Sequence, residues 1–404
     1  PDGYGLRAAT PADHEAIVAV NTEVFGPREG AAVRHLFDGG GGYGPGEWTV
    51  VTDPDGVVVS ACTRFDHRLR FGSVEVPAAQ IEFVATRPEI RRRGVVRAQF
   101  AHHHARIDEL GALVVIVTGI PYLYRRLGYG YACVDRASHR IVDVPAPPPG
   151  WVLTDASPGD AEAIAAGIDR GQARCDIALR HGAEAWRWLV EGAPTWQEQV
   201  RLARRIGEDE IRGIARTQVR ADEGHAATWG WAVDLDAGRA LLADAAATAG
   251  DLELHAGDRA RDAWGVAVRA AGYHEPTTFE AVYARIPDPV RLLDALRPVL
   301  SARLAASPLA AEAGELAISF YDDGVVLAYD RGEVTEVRRD PEPELDPLDD
   351  DATGVAPDAF PALVFGRFTT EELARRHDDV GYVDQRALMD VLFPRQDVSL
   401  DAPL

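Results

Sequence analysis

Three consecutive arginines, Arg91, Arg92 and Arg93, stand against Gly94 in a 404-residue chain whose formal net charge is −22. Forked guanidinium donors beside a glycine are the parts of a phosphate site. The flanking sequence supplies the rest: Ala79 to Thr86 reads as a strand, and the residues after Gly94 read as a helix. The first N–H groups of a helix have no partner within it and lie at the positive end of its dipole, so a strand-to-helix turn can cradle an anion. A run of arginines alone is more often a solvated face; its position at this junction favours phosphate. The turn matches neither GxxxxGK[ST] nor GxGxxG, so it is neither a P-loop nor a dinucleotide fingerprint.

The elements that must hold this turn occur twice. Leu6 to Ile17 reappears as Leu153 to Ile164, with Thr10 and Ser157, Pro11 and Pro158, and Asp13 and Asp160 in register. In each copy a short strand enters a helix with Ser or Thr at the N-cap, Pro at N1 and Asp at N3. Arg125 to Gly130 (RRLGYG) is similarly echoed by Arg269 to His274 (RAAGYH), at an offset of 144 against 147 for the first pair. The chain is therefore expected to hold two tandem units, 1–146 and 147–288, joined at the proline-rich Val144 to Gly150. A third unit follows over 289–404. Within the first, a helix from Pro11 and a Gly-rich loop, Gly39 to Gly46, lead into a meander of three strands. A helix to about Leu110 and the apolar Ala112 to Val117, a buried central strand, complete an α+β pattern with a mixed sheet.

In the third unit, Pro289 to Leu300 is expected to be one amphipathic helix, and Ala317 to Val337 an antiparallel meander turning at Asp-Asp-Gly and Asp-Arg-Gly. The acidic Asp340 to Asp351 lacks the ligand spacing and mid-loop glycine of an EF-hand and reads as a solvated loop. Thr369 and Glu372 form a capping box, and an ordered apolar tail follows.

Acidic residues outnumber basic ones 64 to 42, and every basic residue is arginine. This excess repels nucleic acid and anionic membranes and attracts cationic small molecules. Cys62, Cys133 and Cys175 form no CxxC pair, which argues against a disulfide framework or structural zinc and fits a cytoplasmic protein. No apolar run reaches the length of a membrane span. His102, His103 and His104 point about 100° apart on a helix and cannot share a metal; a surface pairing of His104 with Asp108 is expected instead.

RRRGVV after a strand, followed one helix and one strand later by YRRLGYG, resembles the acyl-CoA motif RxxGxG/A and the Tyr-x-x-x-Gly-aromatic ending of the GNAT N-acetyltransferases. Val96 stands where Gly or Ala is usual. Two such units and a small sheet-plus-helix unit resemble the enhanced intracellular survival (Eis) family, whose third domain is sterol-carrier-like. The resemblance implies an N-acetyltransferase that uses acetyl-CoA on a cationic, aminoglycoside-like amine, and a homohexamer. Val84, Ala85 and Thr86 would pair with the pantetheine arm. Arg92, Arg93, Gly94, Val95, Val96 and Arg97 would wrap the pyrophosphate, and Gly119 and Ile120 would flank the acetyl group.

By the same resemblance Tyr124, four residues before Gly128, takes the general-acid position, and a phenol near pKa 10 can protonate a departing thiolate. The base would be the carboxylate of Leu404, or else Glu82. Alternation puts Glu82 and Phe83 on opposite faces unless the strand bulges. Phe25, Phe37 and Phe83 would line the acceptor site, with Glu23 or Asp38 as amine partners; core packing would equally explain each aromatic. In the second unit Val233 to Leu242 replaces the arginine turn with acids, and Val268 falls where a phenol is expected. That copy should neither bind nor turn over acetyl-CoA. Two other readings remain: a protein lysine or N-terminus as acceptor, and a non-catalytic carrier of an apolar ligand in the third unit.

Overall fold

The repeated start is visible as repeated hydrogen bonds. Asp13 Oδ2 accepts from the Thr10 N–H and hydroxyl, both at 2.8 Å. Asp160 Oδ2 accepts from Ser157 in the same way, at 2.9 and 2.7 Å. The computed structural model that carries these details describes residues 3–39, 46–120, 122–141, 143–220, 225–248, 252–256, 263–273, 279–340, 342, 353–382 and 385–400. Most of the Gly-rich loop and of the acidic segment lies outside them.

The first copy comprises β1 (Gly5–Ala8), a 3-10 turn (Pro11–Asp13), α1 (His14–Phe25), α2 (Pro27–Gly39), β2 (Glu47–Thr52), β3 (Val58–Phe71), β4 (Val74–Thr86), α3 (Val95–Leu110), β5 (Val114–Val117) and β6 (Gly130–Ile141). The second continues through β7 (Trp151–Asp155), α4 (Ala161–Gln172), β8 (Ile177–Leu179), α5 (Ala183–Gly192), β9 (Glu198–Arg205), β10 (Gly213–Arg220), β11 (His225–Ala232), α6 (Leu235–Thr248), β12 (Leu252–Ala256), α7 (Ala263–Ala271), β13 (Gly272–Tyr273) and β14 (Phe279–Arg285). The remainder holds α8 (Pro289–Ala295), α9 (Arg297–Ala305), β15 (Ala313–Ser319), β16 (Gly324–Asp330), β17 (Glu333–Asp340), β18 (Thr353–Val355), α10 (Phe360–Val364), α11 (Thr370–Ala374), β19 (Val380–Tyr382), α12 (Arg386–Leu392) and β20 (Val398–Ser399).

The fold is α+β with a mixed sheet, but the two copies do not keep separate sheets. Their main strands run in the order β1-β2-β3-β4-β5-β14-β6-β12-β11-β10-β9-β7. The last strand of the second copy, β14, lies between β5 and β6 of the first, antiparallel to both, and β6 also pairs with β12. Sequence periodicity specifies which face of a strand is apolar and leaves its neighbour open, so this sharing was not foreseen.

The face of the sheet under α3 is closed by Phe100, Ile107, Tyr124 and Tyr129 packed on Ile81, Val115 and Val117. Fully burying each Phe or Ile contributes about 1.5–3 kcal/mol. The helix is also fixed by a buried polar chain. Ser60 Oγ contacts the Thr86 hydroxyl and Gln99 Oε1, both at 2.8 Å, and Gln99 Nε2 donates to Thr49 O at 3.3 Å. Buried groups so joined hold one geometry because leaving any unpaired is costly. The start of α3 is thereby tied to the end of β4.

The C-terminal part forms a five-stranded sheet, β17-β16-β15-β18-β19, with the expected meander at β15 to β17. The Thr369–Glu372 capping box is formed. The single helix expected over Pro289 to Leu300 is instead two, α8 and α9, parting at Leu296. Pro298 explains the break: it has no N–H, and its ring would clash with the carbonyl four residues earlier.

Candidate functional site

The arginine turn is shaped by two left-handed residues, Arg92 at φ 64° and Gly94 at φ 81°. Gly94 is the N-cap of α3, with no side chain capping the helix and no acid in its first turn. A Cβ at Gly94 would meet nothing within 4 Å, so the space over the helix start is open. Arg91, Arg92, Arg93 and Arg97 are all exposed. None has an ion pair among the described residues, whereas Arg7, Arg34, Arg64, Arg87 and Arg106 of the same copy are each paired with a carboxylate. Arg91 Nε donates to Thr86 O at 3.3 Å, and Arg93 to the Tyr4 hydroxyl at 3.3 Å. Unpaired guanidinium groups around free helix N–H groups fit a pyrophosphate. Val95 turns inward beside Val51, Val59 and Ile90 and can offer only its backbone. Val96 packs partly against the Phe100 cluster.

The strand leading into this turn is open along one edge. The parallel ladder of β4 with β5 ends at Gln80–Ile116, although β4 runs on to Thr86. The edge that includes Val84, Ala85 and Thr86 therefore has no β5 partner and could pair with an extended ligand. Ala85 and Thr86 are buried and Val84 half-buried.

The bulge that alternation required is present. Pairing with β3 shifts between Thr63↔Glu82 and Ala61↔Ala85, one extra residue on β4, and Phe83 takes a φ of 52°. Phe83 consequently packs with Ala61, Phe65 and Ala85, the face of Glu82's partner Thr63, while Val84 turns to the α3 side. Glu82 and Phe83 thus share one face. Glu82 Oε1 accepts from Gln80 Nε2 at 2.7 Å and from the Thr118 hydroxyl at 3.3 Å. Gln80 Oε1 in turn lies 2.9 Å from His67 Nε2.

Tyr124 opens a 3-10 turn, Tyr124–Leu127, that ends at Gly128. Only 4% of Tyr124 is exposed. Its hydroxyl lies 3.4 Å from where a Gly119 side chain would begin and makes no hydrogen bond among the described residues. Burial, then the charge of Glu82, pushes the phenol well above its usual pKa, so it stays protonated at neutral pH. Gly119 has a φ of 122°, and Ile120 is 63% exposed. Arg125 beside Tyr124 is held by Asp358 of the C-terminal part. Tyr283 arrives on β14, its ring 5.4 Å from that of Tyr124. No local pattern in the sequence marked Tyr283, because its place depends on the shared strand.

A row of rings borders the Glu82 face. Phe37 stacks on His14 at 3.8 Å and meets Trp48 at 5.5 Å, and Trp48 meets Phe83 at 5.8 Å. Phe37 and Phe83 are thus linked by Trp48, which sequence reading missed. Phe25 is 45% exposed at the end of α1 and, among the described residues, stands apart from these rings. Glu23 is ion-paired with Arg87 at 3.2 Å, and Asp38, the other of the two expected amine partners, is exposed.

His104 is corrected. Burial holds its pKa down at about 4 despite the opposing charge of Asp108, and its Nε2 lies 2.8 Å from the Tyr129 hydroxyl, which takes the place of the expected pairing with Asp108. No group of metal-ligating side chains occurs among the described residues. No helix among them is long and apolar enough to cross a membrane. Leu404 lies outside the described residues. The last described strand, β20, runs parallel to β8 and so antiparallel to β3, heading from the Phe71 end of β3 toward the Thr63 end that pairs with Glu82.

A cavity of 380 Å³ opens where β6 meets the C-terminal part, lined among others by Val134, Asp176, Phe365, Arg367 and Asp397. Its mixed charges differ from the enclosed apolar space that a lipid carrier needs.

In the second copy the corresponding places hold other chemistry. Asp234 Oδ1 accepts from the Ala237 N–H at 2.9 Å, closing the start of α6, and Val268 is fully buried in α7.

Residues 5–132 match the family model of the acetyltransferase (GNAT) domain. The N-acetyltransferase Eis of Mycobacterium tuberculosis is 36% identical over 116 residues, which is 28% of this chain and 27% of that protein. The match thus spans about a quarter of the relative's length. A GCN5-related N-acetyltransferase from Anabaena variabilis superimposes with a TM-score of 0.72 at 15% identity, covering 98% of this chain and 99% of that one. Eis1 from Mycobacterium abscessus superimposes at 0.63 and 18% identity, over 99% of each chain. The chain as a whole has the fold of these acyltransferases, and its first copy carries the acetyltransferase domain.

Proposed function

We propose that the protein is an acetyl-CoA-dependent N-acetyltransferase of the Eis-like type, acting on an amino group of a cationic, aminoglycoside-like acceptor. The observation that carries this is the uncapped N-terminus of α3 ringed by unpaired arginines, beside an open β4 edge that leads toward Tyr124. Arg91 to Arg93, Arg97 and the first N–H groups of α3 would hold the phosphates, and the edge that includes Val84 to Thr86 the extended arm. Bound there, acetyl-CoA supplies an activated thioester.

The residues of the chain then manage two protons. Tyr124, kept protonated by burial, gives its hydroxyl proton to the sulfur as the carbon–sulfur bond breaks and the new carbon–nitrogen bond forms. A carboxylate first takes a proton from the ammonium, which frees the amine to attack, and the further proton that the nitrogen sheds as the amide forms restores the Tyr124 phenol. The hydrogen bonds from Gln80 and Thr118 to Glu82 support Glu82 in the carboxylate's role; a carboxylate at Leu404, which lies outside the described residues, is the alternative. The Phe37–Trp48–Phe83 row beside Glu82 suits an ammonium, since rings attract cations within about 6 Å. The sterol-carrier-like character of the C-terminal part, the unit limits 1–146, 147–288 and 289–404, a hexameric assembly and a cytoplasmic location belong to the same reading.

Thiol release from acetyl-CoA with a panel of polyamines and aminoglycosides tests it. Tyr124→Phe should lower kcat about 10²- to 10⁴-fold, the range for loss of a general acid. Failure of the wild type to release thiol with any amine would sink the proposal. Glu82→Gln and removal of Leu404, compared in that assay, identify the base as the change that abolishes the alkaline-favoured limb of the rate profile.

A further inference from the structure

The second copy lacks the open helix start and the phenol, yet it contributes to the site. Its strand β14 carries Tyr283, which is fully buried between β5 and β6. The Tyr283 hydroxyl accepts from the Tyr122 N–H at 2.8 Å and donates to the Tyr131 hydroxyl at 2.8 Å. It also lies 3.4 Å from Ile120 O. All three contacts fall on or beside the segment from Gly119 to Tyr124. Phenylalanine would fill the same volume, so the hydroxyl needs its own explanation; buried without partners it would be a liability.

Two irregularities support a specific role. Tyr122 is held at a φ of 69°, a left-handed value that a bulky residue keeps only when its surroundings impose it. The pairing of β14 with β6 shifts between Val282↔Cys133 and Tyr283↔Tyr131, an extra residue on β6 that sets Tyr131 directly across from Tyr283. Bulges beside sites commonly re-aim a side chain in this way. The rings of Tyr131 and Tyr283 are 4.4 Å apart, and that of Tyr283 leans on Tyr124 at 66°.

We propose that Tyr283 is a positioning residue for the proton transfer: its hydroxyl, clasped between the Tyr122 N–H and the Tyr131 hydroxyl, fixes the Gly119–Tyr124 segment so that the Tyr124 hydroxyl meets the departing sulfur. This rests on the assignment of Tyr124 as the acid. The copy without the arginine turn thereby becomes a functional part of the other, through one strand.

The test uses the full-length protein with Tyr283→Phe, Tyr124→Phe and the double variant, assayed by thiol release with the amine that wild type turns over fastest. Tyr283→Phe should lower kcat about tenfold, the effect of a misplacement rather than of a missing acid, with KM for acetyl-CoA unchanged within twofold. On the Tyr124→Phe background it should cause no further loss, because there is no proton left to aim. Amide exchange over residues 119–124 should speed up in Tyr283→Phe while β2 to β4 stay protected. Tyr131→Phe, which removes the acceptor of the Tyr283 proton and a longer, 3.3 Å acceptor of the Tyr122 N–H, should give a smaller fall in kcat of the same kind and covers the case of a poorly folding Tyr283 variant. Unchanged kcat in both Tyr283→Phe and Tyr131→Phe, or losses that multiply with that of Tyr124→Phe, would overturn the inference while leaving Tyr124 as the acid. A Tyr124→Phe enzyme as active as wild type would overturn the assignment beneath it.

Discussion

Helices α3 and α6 start at equivalent places and meet opposite fates. Each follows the last strand of an antiparallel meander, β4 or β11, and leads to a strand that pairs with it in parallel, β5 or β12. Their backbone dipoles are alike. At α6 the chain supplies its own anion: Asp234 caps the helix and binds Arg212 at 2.8 Å. Burial opposes ionisation of Asp234, but the Ala237 N–H and Arg212 outweigh it and hold the pKa below the usual carboxylate range. At α3 the cap is a glycine, and the neighbouring charges are arginines with no carboxylate of their own. A helix N-terminus becomes a ligand site when the chain declines to satisfy it, and one residue at the cap decides which.

The largest expected effect comes from reversing the charges around the open end. Arg92→Glu with Arg93→Glu should weaken coenzyme A binding on the order of 100-fold or more, since hydrogen bonds between charged groups contribute about 1.5–3 kcal/mol each. Both side chains are exposed, so thermal stability should barely move. Titration calorimetry at two salt concentrations checks it. An affinity within threefold of wild type would show that the arginines are a solvated face after all.

Exchanging the caps gives a smaller and more direct comparison. Gly94→Asp puts a carboxylate where α6 has one and should weaken coenzyme A binding about tenfold, as an internal anion competes for the same N–H groups. Asp234→Ala should leave binding and turnover unchanged and cost about 1 kcal/mol of stability for the lost cap, measured by urea unfolding. If Gly94→Asp left affinity intact, the helix end would not be part of the phosphate site.

How much of this was legible in advance follows from the range of the interactions involved. The capped starts at Thr10 and Ser157, the arginine turn, Tyr124 with Gly128 and the Thr369 box depend on neighbours within a few residues, and sequence shows them. The conditional reading of Glu82 and Phe83 was settled only by the bulge, because alternation cannot reveal an inserted residue. His104 misled because helical spacing says nothing of which face the tertiary fold covers. Trp48, Gln80 and Tyr283 were missed altogether. Their roles come from strand neighbours, which in the case of β14 lie on the other copy.

The smallest effect concerns acid stability, where the two helices again differ. α6 contains no histidine, whereas α3 buries His103, whose Nε2 lies 3.1 Å from the Thr49 hydroxyl. Burial, then the charges of His102 and Arg64, lowers its pKa to about 4 from 6.5. The unfolded chain therefore takes up a proton below pH 6.5 that the folded chain refuses until about pH 4. The stability tied to neutral His103 is complete above pH 6.5 and is lost as pH falls toward 4, at up to about 1.4 kcal/mol per pH unit. His104, also near 4, adds to the same slope. Urea unfolding at intervals from pH 7 to 4.5 should show that slope, and His103→Gln should flatten it by close to one proton, whatever it does to stability at pH 7. Hydrogen exchange at pH 5 should find α3 opening before α6. Equal acid slopes in wild type and His103→Gln would remove His103 from the account and leave the other buried histidines, His67, His104 and His181, as the cause.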